Sequence, residues 1–269
     1  MLAVLGNLSL DVVEGGARRP GGGPFHAARA LRALARPALV AARCAEDDRR
    51  RLVRPLAGLG VPVRWRASAE TARFRLAYDD EGVRALEVEA LGDAWTPDDA
   101  RWAVEGLPPR AWLQVAPLAA HEFPAETLAE LAGGGRRVLL DAQGLVRPAR
   151  TGPVELAGEP DPELLRHVAA LKLAEDEAHA LLGGADAGRL ASLGVPEVVV
   201  TLGPRGALVW AAGTLTEVPA RAAPGRVDPT GAGDAFAATY VASRAAGHAP
   251  VAAARRGCAL VGALLAGRA

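Results

Sequence analysis

Short apolar runs alternate along this chain with stretches whose apolar positions recur every three to four residues. That is the pattern of a sheet with helices on both faces. Leu2 to Leu5 reads as a first strand, followed by a helix over about Phe25 to Leu34 and a strand at Ala38 to Ala42. A helix over Glu46 to Gly58 is closed by Gly60 before the strand-like Val61 to Trp65. Further helices are predicted near Pro97 to Glu105, at Pro124 to Leu131, from Asp161 onward and at Glu175 to Leu182. Strands fall between and after them at Trp112 to Val115, Arg137 to Asp141, Ala170 to Leu173 and Glu197 to Thr201. Ala235 to Ala246, stopped by Gly247, and Val251 to Leu265 read as two last helices.

Ala72 to Tyr78 breaks this rhythm. Phe74, Leu76 and Tyr78 alternate there with Arg73, Arg75 and Ala77, a period of two. Asp79 to Gly82 is a turn signal, and Val83 to Val88 supplies a return strand. A β-hairpin with one apolar face is therefore expected, either as an edge hairpin of the main sheet or as a lid over a site. The chain shows no internal repeat and no linker long enough to divide it, so one domain spanning residues 1–269 is expected.

Composition narrows the classes. Half of the 269 residues are hydrophobic and 23% are charged, which supports a packed core rather than disorder. No apolar run approaches the ~18–20 residues of a membrane span. The opening MLAVLGNLSLD has no basic segment and turns polar at Asn7, so a cytoplasmic protein without a membrane partner is expected. Thirty-one basic residues balance thirty-one acidic ones, which gives no reason to expect nucleic-acid binding. Cys44 and Cys258 lack metal-ligand spacing and read as two buried thiols. Every basic residue but one is arginine; the exception is Lys172.

The strongest chemical signal is Asp228-Pro229-Thr230-Gly231-Ala232-Gly233-Asp234, which leads straight into a helix. Small residues there let backbone N–H groups converge at a helix N-terminus, where the macrodipole favours an anion. A carboxylate in the first turn could take the proton of an attacking hydroxyl while those N–H groups steady a moving phosphoryl group. The plainer alternative is that Asp234 caps the helix and the glycines make a tight turn. No Gly-Lys-Ser/Thr follows, so the turn is not a P-loop, and no G-x-G-x-x-G follows the first strand, against a dinucleotide-binding oxidoreductase.

At these residues the chain resembles the ribokinase or PfkB-type carbohydrate kinases, whose C-terminal signature is similar to DPTGAGDAF. Gly6, Asn7 and Asp11 resemble the family's first-strand turn with its substrate-binding aspartate. Gly21-Gly22-Gly23-Pro24-Phe25-His26 resembles its Gly-Gly signature, with His26 where the family has asparagine. Thr71 to Gly82 with Arg84 is similar to its β-lid, and Thr201-Leu202-Gly203-Pro204-Arg205-Gly206 is similar to the turn that borders the nucleotide. Each short match is weak by itself, and their order along the whole chain carries the resemblance.

The resemblance implies a three-layer α/β fold with a mainly parallel central sheet and a small β-lid at about 64–91. It implies ATP-dependent phosphorylation of a hydroxyl on a sugar, polyol or nucleoside. Asp234 would be the base and Gly231, Ala232 and Gly233 the anion hole. Lys172, Thr201, Gly203 and Gly206 would border the ATP. The family's metal-organising N-x-x-E is here Ala174-Glu175-Asp176-Glu177, so Glu177 keeps its place, facing Mg²⁺ through water, while the asparagine is lost. Asp11, Gly22, Gly23 and His26 would meet the acceptor. Asp141-Ala142-Gln143 with Arg147, at a strand's C-terminal end, is similar to the myo-inositol kinase branch, so Gln143 and Arg147 join them and an inositol-like acceptor is favoured. A nucleoside kinase and a non-catalytic ligand-binding relative are the alternatives. A homodimer through the lid is the expected assembly, since exposed hairpins pair edge to edge.

Overall fold

The computed structural model describes residues 1–13, 16–78, 84–220 and 229–267. The turn expected at Asp79 to Gly82 and the Asp228 that opens the glycine-rich motif lie outside the described residues.

Strand β1 (Leu2–Asn7) passes through Leu8 into β2 (Ser9–Val13), β3 (Arg19–Gly21) and helix α1 (Gly23–Ala33). Then come β4 (Ala38–Ala45), α2 (Arg49–Ala57), β5 (Val63–Ser68) and the hairpin strands β6 (Ala72–Tyr78) and β7 (Arg84–Ala90). The middle of the chain forms α3 (Pro97–Val104), β8 (Trp112–Val115), α4 (Ala125–Ala132), β9 (Arg137–Asp141), the short α5 (Gln143–Val146) and β10 (Gly152–Pro153). It continues as α6 (Pro162–Leu165), β11 (Ala170–Ala174), α7 (Glu175–Leu182), α8 (Ala187–Ser192) and β12 (Glu197–Thr201). The last elements are β13 (Ala207–Ala211), β14 (Thr214–Val218), α9 (Ala232–Ala245) and α10 (Pro250–Leu265).

Among the described residues the strands form two sheets. The larger has nine strands in the order β14-β13-β12-β11-β9-β8-β1-β4-β5, parallel from β5 to β12 and antiparallel at β13 and β14. Its central strands are apolar without alternation because helices cover both faces. In β1, Leu2 and Val4 join the core under α1, α9 and α10, while Ala3 and Leu5 join the opposite core under α3, α4 and α7. Helix ends follow their local chemistry: Thr96 and Asp99 form a capping box on α3, and Asp161 caps α6. Cys44 and Cys258 are both buried free thiols, and burial pushes Cys44 up to about 11.

The smaller sheet has five strands in the order β10-β7-β6-β2-β3. Its period-two pattern divides cleanly. Phe74, Leu76 and Val88 are buried on one face, and Leu76 pairs with Leu86 across β6 and β7. On the other face Arg75 bridges to Glu87 and Glu89, Arg18 to Glu89 and Arg73 to Glu70. The expected lid boundary at about 64 needs correcting. Residues 64–68 belong to β5, which pairs in register with β4 at the edge of the main sheet, whereas β2, β3 and β10 join the hairpin. The hairpin is thus part of a second sheet rather than an edge of the first.

Candidate active site

The C-terminal ends of β1, β8, β9 and β11 meet the N-termini of α1 and α9 under the apolar face of the second sheet. A cavity of about 230 Å³ opens there. Asp11, Gly22, Gly23, His26, Gln143, Arg147, Lys172, Glu177, Gly231, Gly233 and Asp234, all expected from the sequence, line it. Ser9, Phe74, Leu76, Leu86 and Leu118 line it too, as do Ala174, Asp176, Pro229 and Thr230. The cavity is amphipathic: Arg147, Lys172, Glu177 and Asp234 face it from the main-sheet side and Asp11 from the second sheet, whose Phe74, Leu76 and Leu86 give it an apolar roof.

Close backbone approaches build the floor. Gly231 has φ +77° at the N-cap of α9, and a side chain on it would collide with the His26 ring. A Cβ at position 23 would come within 2.9 Å of Asp234 Oδ1, so the Gly-Gly start of α1 lets the carboxylate sit against its backbone. Gln114, fully buried in β8, donates from Nε2 to the Asp234 carbonyl oxygen at 3.4 Å and so ties α9 to the sheet. Ala232 does not line this cavity. Its N–H donates to Pro229 O at 3.0 Å, and it borders a neighbouring cavity of about 250 Å³ with His26, Arg29 and Val261.

Asp11 stands inside β2 rather than in a turn after β1, because Leu8 carries the chain from one sheet to the other. Its Oδ1 accepts from Ser9 Oγ at 2.7 Å. Gln143 opens α5 and Arg147 closes it, which places both at the cavity on one short helical turn. Lys172 is buried between carboxylates. Its Nζ lies 3.2 Å from Asp141 Oδ2 and 3.7 Å from Glu177 Oε2, and a Cβ at position 233 would come within 3.1 Å of it. Burial opposes charge on Lys172, but Asp141, Glu177 and Asp234 together hold its pKa above the usual lysine range. Burial pushes the Asp234 carboxyl up to about 6, with Lys172 and Arg147 holding it from rising further. Asp141 is pushed up to about 6 by the same burial, against the pull of Lys172.

Thr201, Gly203 and Gly206 are not brought to this cavity. Thr201 Oγ1 donates to Leu173 O at 3.2 Å, and the turn after β12 is tied to the first turn of α7 by an Arg205–Glu175 ion pair. Glu177 Oε2 accepts from Ala174 N–H at 2.6 Å besides facing Lys172. Among the described residues, no three His, Cys, Asp or Glu side chains gather to hold a metal ion. Glu177 Oε2 is thus engaged within the protein, while its expected part toward Mg²⁺, through water, needs no such set of direct ligands.

Sequence reasoning passes over Glu122, which is fully buried behind the cavity wall. It accepts from Leu118 N–H at 2.9 Å, and burial pushes its carboxyl up to about 7. Only the wall residue it anchors, Leu118, touches the cavity, so no local motif marks it. Among the described residues no helix is long and apolar enough to cross a membrane.

Comparison with solved structures agrees with this architecture. A pyrophosphate-dependent kinase in the ribokinase family, complexed with a pyrophosphate analogue and myo-inositol, superposes with a TM-score of 0.83 at 21% identity over 98% of this chain and 95% of that one. A pyrophosphate-dependent myo-inositol-1 kinase converted by mutation into a myo-inositol-3 kinase gives 0.83 at 22% identity, covering 99% and 93%. Arabidopsis thaliana ribokinase complexed with ribose and ATP gives 0.74 at 20% identity, covering 98% and 92%. These likenesses show the fold. The family model of the pfkB family carbohydrate kinases matches residues 13–268, nearly the whole chain, and this protein belongs to that family.

Proposed function

We propose that this protein transfers a phosphoryl group from a phosphoanhydride donor to a hydroxyl of a cyclic polyol or sugar, with an inositol-like acceptor favoured. The observation that carries this reading is the placement of Asp234, partly buried at the start of α9 and facing the same cavity as Asp11, Gln143 and Arg147. Asp11, Gln143 and Arg147 offer acceptors and donors to neighbouring hydroxyls, while Phe74, Leu76, Leu86 and Leu118 suit a C–H face. The cavity is smaller than the ~300–1,000 Å³ of drug-sized ligand pockets, which favours a small polyol over a nucleoside.

Asp234 takes the acceptor's proton as the hydroxyl oxygen attacks the terminal phosphorus and the bridging P–O bond breaks. A carboxyl titrating near 6 is ionised at neutral pH yet basic enough for that transfer. The positive end of α9, with the Gly231 and Gly233 backbone, Lys172 and Arg147, offsets charge on the transferred group. The donor expected from the sequence is ATP, with Mg²⁺ arriving on the donor. The likeness to pyrophosphate-dependent kinases makes inorganic pyrophosphate the donor to set against it. Self-association through the second sheet would use its β3 or β10 edge, since the outer face is laced with ion pairs.

The test is turnover of myo-inositol, other cyclic polyols, sugars and nucleosides with ATP and with pyrophosphate in parallel. Phosphorylation of a polyol, abolished in Asp234→Asn, is the expected result. Ligand binding without turnover by any donor would overturn the reading.

A further inference from the structure

We infer that Asp141 is a positioning residue that fixes the direction of the Lys172 ammonium and, with the same carboxylate, the start of the Gln143–Arg147 turn. The inference rests on the kinase reading above and adds a residue that touches neither donor nor acceptor.

The sheet puts the pair together. β9 and β11 are parallel neighbours, and Asp141, the last residue of β9, stands directly opposite Lys172, the middle residue of β11. Backbone locks the register, with Ala142 N–H donating to Lys172 O at 2.9 Å. Asp141 straddles the ammonium, Oδ2 at 3.2 Å and Oδ1 at 3.4 Å, and both side chains are at most 3% exposed. Oδ1 also accepts from Gln143 N–H at 3.3 Å, at the first residue of α5. One carboxylate therefore holds the cation beside Gly233 and sets the turn that carries Gln143 and Arg147 to the cavity.

Three carboxylates face Lys172 from three elements: Asp141 on β9, Glu177 on α7 and Asp234 on α9. Asp234 in turn faces Lys172, Arg147, Glu177 and Asp11. Without the Asp141 charge, the ammonium turns toward Glu177 and Asp234. It then pairs with the base and weakens it, while presenting more net positive charge to a phosphate.

Those two effects have opposite signs, which a merely structural defect would not produce. Asp141→Asn, Lys172→Met and the double variant are compared with the wild type by calorimetric binding of inorganic pyrophosphate and by kcat across pH. Asp141→Asn is expected to bind pyrophosphate about threefold or more tighter, to lose about tenfold or more in kcat, and to move the acid limb of its profile to lower pH. Lys172→Met weakens pyrophosphate binding, and the double variant is no worse than Lys172→Met, because the amide oxygen left by Asp141→Asn still accepts from Gln143 N–H and only the charge that acts through the lysine is lost. Loss of kcat and pyrophosphate affinity together in Asp141→Asn, or losses that multiply in the double variant, would overturn the inference. Should Asp141→Asn not fold, the double variant, which removes both charges, is expected to be more stable than Lys172→Met, and a less stable double overturns the pairing. A wild type that turns over nothing while Asp141→Asn still tightens pyrophosphate binding would sink the kinase reading and leave this one standing.

Discussion

The Lys172 cluster under α9 and the Arg–Glu ladder on the outer face of the second sheet use the same charge chemistry at opposite extremes of burial. The Lys172 side chain is 3% exposed and has three carboxylates around it; the Arg75 side chain is 48% exposed and shares Glu87 and Glu89. In the ladder water screens every pair, so geometry can drift at little cost. Under α9 the Lys172, Asp141 and Glu177 side chains are shielded from bulk solvent, and removing any one charge leaves the others uncompensated. In the buried cluster the Asp141 and Asp234 carboxyls are pushed up to about 6. Reactivity is concentrated where charges are costly to hold.

Four measurements would break or sharpen that contrast, starting with the largest. Asp234→Asn keeps shape but not basicity, and kcat is expected to fall by about 10²–10⁴ in steady-state assays. Ordinary rates in that variant would place the base elsewhere. Lys172→Ala strands the buried Asp141 and Glu177 and the partly buried Asp234, and is expected to lose about 3–5 kcal/mol in urea unfolding. A loss as small as that of a ladder residue would make the two clusters equivalent.

The third measurement concerns pH. A carboxyl whose folded pKa is raised holds its proton longer in the fold than in the unfolded chain. Its contribution is fully present below the unfolded value and is lost as pH rises through the folded one. For Glu122 that window runs from 4.5 to about 7, so wild-type stability falls across it. Glu122→Gln is expected to remove a pH-dependent loss on the order of 2–3 kcal/mol, read from urea midpoints at pH 5 and pH 8. An unchanged slope would show that Glu122 is not the group responsible. Smallest of all, Arg75→Ala on the ladder is expected to cost under about 1 kcal/mol, and less in high salt.

How much of this is legible in the sequence depends on burial and on distance along the chain. β8, β9 and β12 fall on their expected residues because strands covered on both faces are uninterrupted apolar runs. β5 begins two residues later than expected, since Arg64 and Arg66 interrupt the pattern at a sheet edge. β2 and β3 escape the pattern altogether: they are short, β3 pairs only with β2, and β2's other partner β6 lies some sixty residues downstream. β13 and β14 escape it as well, although the Ala212-Gly213 turn between them is a usable hairpin signal.

The site divides the same way. Asp234 and the glycines around it form a local motif, and His26 can be singled out by its place in another. Lys172 stands out as the only lysine, but the carboxylates that hold it come partly from cross-strand register, which no local pattern encodes. The Phe74 and Leu76 face is legible by alternation, whereas Leu86 and Leu118 meet it only in the folded chain.

The contact of Gly23 with Asp234 has a consequence for how the molecule comes into being. The two residues lie near opposite ends of the chain, yet neither wall of the floor closes without the other. Their meeting carries a long loop-closure cost, so it is expected late in folding, after the parallel strands between them have docked. A nascent chain that has not yet reached α9 can shape the wall around Asp11 and Gly23 but lacks Asp234, the base proposed above. On that proposal, competence to transfer a phosphoryl group arrives only with α9, and a half-made chain is expected to have none.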